Sequence, residues 1–185
     1  MSLFKKSLIV FSFLIVTFAS QANTDLASLK ARYFDAAREG NQAMLEAFYD
    51  AGLDANVADE KGYTALILAA YHGHTDTVDY LINTAKANPC QEDNRGNTAL
   101  MGAIFKGHVS VANQLVFADC NIDEENEQGQ TALMFASLFD RQEIINTLID
   151  KGADTHHKDK AGNTVADIAL SQGNYALAKA LKDGE

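Results

Sequence analysis

A pentad of the form Gly-x-Thr-Ala-Leu occurs three times, at Gly62/Thr64/Ala65/Leu66, Gly96/Thr98/Ala99/Leu100 and Gly129/Thr131/Ala132/Leu133. A degenerate fourth copy lies at Gly162/Thr164/Val165/Ala166, and the four threonines are spaced 34, 33 and 33 residues apart. Self-similarity at that period marks a repeat architecture, in which one supersecondary unit cannot bury its apolar face alone and stacks on its neighbours. Such a row offers surface rather than a catalytic cleft. The pentad leucines Leu66 and Leu100 are expected in the core, where truncation to alanine costs roughly 2 to 5 kcal/mol.

Residues 1–22 differ in composition from the rest. Lys5 and Lys6 precede an apolar run from Ser7 to Phe18, which Ala19-Ser20-Gln21-Ala22 follows. This is the order of a secretory leader: a basic start, a short apolar stretch and small residues at the cleavage site. The run is 12 residues long, whereas a spanning helix needs about 20. The sequence therefore predicts export, removal of residues 1–22 and no membrane insertion of the product. The remainder, 23–185, forms one domain with units at about 28–60, 61–94, 95–127, 128–160 and 161–185. The expected location is the periplasm or the outside of the cell.

The chain has 15 basic and 25 acidic side chains, and losing Lys5 and Lys6 with the leader takes the formal charge from −10 to −12. An excess of that sign repels phosphate backbones and anionic lipid surfaces, which excludes nucleic acid as the expected partner. It favours a basic or mixed-charge protein, with steering that fades as salt rises.

Nine residues beyond the pentad threonines stand Gly73, Gly107 and Gly173, with Asp140 in the equivalent place in the fourth unit and Gly40 one period upstream. Apolar residues at helical spacing flank these positions, as in Val78/Leu81/Ile82, Val111/Leu115/Val116 and Ile144/Ile145/Leu148, so each unit reads as a helix pair. The threonines stand where an N-cap hydroxyl is needed, and the glycines suit a left-handed helix end. Asp59, Asp93, Asn126 and Asp159 each lie three residues before a pentad glycine. With these residues in register, residues 30 to 182 resemble the ankyrin-repeat family. The family's Thr-Pro-Leu-His becomes Thr-Ala-Leu followed by Ile67, Met101 or Met134, a conservative departure at a helix start. The resemblance implies an all-α solenoid of about five helix-turn-helix units with projecting hairpin loops.

It also implies protein recognition through hairpin tips and the exposed face of each first helix. By register the hairpin positions include Tyr63, Arg95 and Gln130, and the helix-face positions are Tyr71/His72, Phe105/Lys106 and Leu138/Phe139. Three consecutive units thus place a large apolar side chain where solvent is expected, and such a stripe marks an interaction site. Asp140 and Arg141 depart from the pattern in the fourth unit and leave the direction of Phe139 open.

No phosphate-binding glycine loop, nucleophile elbow or zinc-binding helix motif occurs, so neither an enzyme nor a cofactor is expected. His74 and His108 stand at second-helix starts, which suits capping, and His156-His157 falls in a loop expected to be solvated. No metal site is expected from them. Cys90 and Cys120 reach an oxidising compartment if export holds, and a disulfide between them is then conceivable. They lie in neighbouring loops but not in equivalent register, so pairing stays open. The expected role is a scaffold or accessory factor on another envelope protein. The alternative is an inhibitor or immunity-type protein blocking a toxin or hydrolase.

Overall fold

The computed structural model describes residues 27–183. The leader expected at 1–22 lies outside them. Among the described residues ten helices follow in pairs: α1 (27–39) with α2 (Gln42–Asp50), α3 (Ala65–His72) with α4 (Thr75–Asn83), α5 (Ala99–Lys106) with α6 (Val109–Val116), α7 (Ala132–Leu138) with α8 (Gln142–Asp150), and α9 (Val165–Ser171) with α10 (Tyr175–Asp183). The described residues form no strand, only an isolated bridge between Ala58 and Thr64, and none of their helices is long and apolar enough to cross a membrane.

Helices of seven to nine residues are marginal in isolation, so their stability comes from packing. First helices stack in one row, α3 on α5 on α7 on α9, and second helices in another, α4 on α6 on α8. Between the rows runs one core holding Leu45, Leu66, Leu81, Ile104, Leu133, Ile144, Leu148 and Ile168. Each pentad threonine caps its helix: the amides of Ile67, Met101, Met134 and Asp167 donate to the hydroxyls of Thr64, Thr98, Thr131 and Thr164 at 3.2 to 3.4 Å. In the last unit Asp167 answers by accepting from the Thr164 amide at 3.0 Å, which completes a capping box.

Leu66 is buried as expected, and Leu133 is buried too, but Leu100 is not. It is only half-buried and lines a small void of about 20 Å³ beside Pro89, Cys90 and Cys120. Its truncation therefore removes less buried surface than Leu66→Ala does.

The histidines at second-helix starts do something other than cap. His74 and His108 occupy the N-cap positions of α4 and α6 without a side-chain cap hydrogen bond. Each ring instead reaches back one unit: His74 Nε2 lies 2.7 Å from the Arg38 carbonyl and His108 Nε2 lies 3.2 Å from the Tyr71 carbonyl. A carbonyl only accepts, so each Nε2 carries the proton. Arg141 repeats the contact, donating to the Ile104 and Phe105 carbonyls at 3.2 and 3.4 Å. These bonds satisfy orphan carbonyls at the end of the preceding first helix. Gly73 gives the ring its room. Its φ is +80°, and a Cβ built there would lie 2.6 Å from the His108 ring. Gly152 has a similar φ of +88° with nothing within 4 Å, so it is held by backbone conformation alone.

The hairpins between units owe their shape to the acids and amide three residues before each pentad glycine. Asp59 Oδ1 accepts from the amides of Lys61 and Tyr63, and Asp93 Oδ1 from those of Arg95 and Asn97, at 2.8 to 2.9 Å. Asn126 and Asp159 do the same in the next two loops. Successive hairpins are tied by backbone bonds of 2.9 Å, from Asn94 to the Lys61 carbonyl, Glu127 to Arg95 and Lys160 to Gln128.

Cys90 and Cys120 are joined as a disulfide with their Cα atoms 5.5 Å apart. A tight turn in which the Cys120 amide donates to the Ala118 carbonyl at 2.9 Å takes up the offset in register. His157 also departs from a solvated loop residue. It is half-buried, with Nε2 3.1 Å from the Gly129 carbonyl and 3.4 Å from Glu125.

Candidate functional site

Hairpins form one wall of a groove and the first helices α3, α5 and α7 the other, enclosing about 590 Å³. Its apolar side is a continuous run of rings. Tyr71 stacks on Phe105 with centroids 6.0 Å apart and planes 18° apart, and Phe139 meets Phe105 edge-on at 4.9 Å. Such pairs contribute beyond their area because ring edges and faces carry opposite partial charge. Phe105 is 42% exposed, while Tyr71, Leu138 and Phe139 are half-buried. The rings hold one another in place and stay partly exposed to solvent.

The residues expected to bind partners are brought together here with one exception. Tyr63, Tyr71, His72, Arg95, Phe105, Gln130, Leu138 and Phe139 all line the groove. Lys106 lies at its edge, with Nζ 5.1 Å from the Tyr71 ring centroid, a distance at which the cation is drawn to the ring face. His72 is held below the ordinary histidine value of 6.5. Partial desolvation is the main cause, with repulsion from His74, Arg38, Lys106 and His108 adding to it. The groove thus keeps this imidazole uncharged to lower pH than usual.

Lys61, a hairpin-tip position by register, also lines the groove, whereas sequence reasoning missed Gly102 and Phe135, which line it too. For Gly102 a signal existed. Four residues beyond the pentad threonines stand Leu68, Gly102, Phe135 and Ile168, so one unit alone lacks a side chain at this place. Phe117 is exposed and lies away from the groove, with Lys151 Nζ 3.9 Å from its ring centroid. Among the described residues no three His, Cys, Asp or Glu side chains are grouped to hold a metal ion.

Comparison with known proteins agrees with this architecture. The family pattern described as ankyrin repeats (3 copies) matches residues 34–126 and 109–185. An ankyrin repeat protein of Pseudomonas aeruginosa is 51% identical over 45 residues, which is 24% of this chain and 26% of that protein. The espin-like protein of Homo sapiens is 40% identical over 55 residues, 30% of this chain and 6% of that protein. The matches thus span about a quarter or less of these relatives' own lengths. A family match from residue 34 to residue 185, over the helix pairs and hairpins just described, leaves one conclusion: this chain belongs to the ankyrin-repeat family, whose repeats generally mediate protein–protein interaction.

Proposed function

We propose that this protein is exported and docks on a second protein of the cell envelope as a scaffold or accessory factor, using the groove as its binding face. The observation that carries the reading is the Tyr71–Phe105–Phe139 run of rings, packed together yet open to solvent. Buried aromatic anchors dominate binding energy at interfaces of this kind. Export is supported by the leader-like composition of residues 1–22 and by the Cys90–Cys120 disulfide, since such links persist in oxidising compartments. N-terminal sequencing of the protein from the envelope fraction is expected to begin at Asn23. Intact product in the soluble intracellular fraction would contradict export.

Partner binding is expected to weaken by about 2 kcal/mol or more in Tyr71→Ala or Phe105→Ala. Isothermal titration against a partner captured from the envelope measures this, with melting curves run beside it to separate folding from binding. Unchanged affinity in both variants would dismiss the groove as the docking face. Dissociation kinetics and the partner's own activity, assayed with and without this protein, separate two modes of action. A scaffold leaves the partner's activity intact or raised, whereas a blocking inhibitor dissociates slowly and abolishes it.

A further inference from the structure

The sign of charge in the groove is opposite to that of the chain as a whole. The protein is formally −10, yet the charged side chains lining the groove are Arg38, Lys61 and Arg95 with one acid, Asp93. Asp93 is already engaged in closing its own hairpin, accepting from the amides of Arg95 and Asn97 and from the Asn97 side chain. Arg38 is paired with Asp35 at 2.8 Å and Asp59 at 3.7 Å. Lys61 and Arg95 are in no ion pair with a described carboxylate. Glu60 and Glu127 sit at hairpin tips and do not line the groove. Two uncompensated cations therefore project from hairpins that the Asn94–Lys61 and Glu127–Arg95 backbone bonds hold side by side.

Opposite them, the row of first helices has a notch. Gly102 lines the groove where Leu68 and Phe135 fill the flanking positions. Its backbone is helical, and a Cβ there would stand 3.8 Å from Tyr71, an ordinary contact. Neither strain nor crowding demands glycine. An interior helical glycine costs about 1 kcal/mol against alanine, and what it leaves here is an apolar recess beside Tyr71 and Phe105.

We infer that the groove takes an acidic segment of the partner protein, with a large apolar side chain seated over Gly102 and carboxylates facing Lys61 and Arg95. This rests on the groove being the docking face and adds the chemistry of its occupant. A partner can be basic overall and still present such a segment. Long-range steering then follows the net charge of the chain, while the local fit follows the charge of the groove.

The test uses the full chain and two pools of short dye-labelled synthetic peptides. Each peptide has a central Phe or Leu, flanked in one pool by Asp and Glu and in the other by Lys and Arg. Fluorescence anisotropy is expected to show the acidic pool binding roughly tenfold tighter, about 1.4 kcal/mol, with the preference shrinking as salt rises. Lys61→Glu combined with Arg95→Glu should reverse the preference. Gly102→Leu should abolish binding of the acidic pool while the melting temperature holds or rises. A basic preference, equal binding or no binding by the acidic pool would overturn the inference. If Gly102→Leu still removes the binding in the first two cases, the groove remains the docking face and only the occupant is wrong. Peptide binding indifferent to Gly102→Leu would remove both. Self-association of the wild type that Gly102→Leu abolishes would assign the groove to a second copy and also overturn the inference.

Discussion

Replacing both Cys90 and Cys120 by serine is expected to lower the free energy of unfolding by about 3 to 4 kcal/mol, the chain-entropy value for a link of this span. The two cysteines are 30 residues apart, close to one repeat period, so the link ties neighbouring loops. In a linear array, stability is a sum of unit terms and nearest-neighbour interfaces. Loss of the link should therefore act on one joint in the middle of the row. Urea unfolding of the wild type with and without reductant, beside the double variant, checks this. The reduced wild type and the double variant are expected to coincide, with a transition broadened as the two halves uncouple. Identical curves for oxidised and reduced protein would refute it.

Leu66→Ala is expected to cost roughly 2 to 5 kcal/mol, because the side chain is 1% exposed in the core and a packed core relaxes only partly into the space left. For a chain of this size that corresponds to a fall of roughly 5 to 20 °C in melting temperature. Leu100→Ala, the same change one repeat later, should cost clearly less, since Leu100 is half-exposed beside an existing void. Calorimetry on the two variants reads the difference directly. Equal losses would mean that the pentad leucines are interchangeable, contrary to their packing.

Much of the fold could be read from short-range chemistry. The pentad threonines are caps by virtue of their hydroxyls, and the acids before each glycine close hairpins through bonds spanning two to four residues. Interactions of that reach lie within the sequence window that encodes them. Relations between units were less legible. His74 and His108 looked like caps because nothing local shows that their rings turn to a carbonyl 36 or 37 residues away. The disulfide stayed open for the same reason, since a turn at Ala118–Cys120 sets where the second sulfur falls. In the groove, the aromatic positions followed from register alone. Gly102 did not, because a missing side chain gains meaning only when the opposite wall is known.

The joints made by His74, His108 and Arg141 bear on how such a chain changes length over generations. Each bulky donor lies against a compact residue one period earlier: His74 against Gly40, His108 against Gly73, Arg141 against Gly107. Plug and socket are thus encoded on the same module, at matching places. Duplicating or excising the period that carries Gly73-His74 or Gly107-His108 brings a plug of one copy to a glycine socket of another and leaves no mismatched seam. A gain or loss of any other length would misalign every connection downstream.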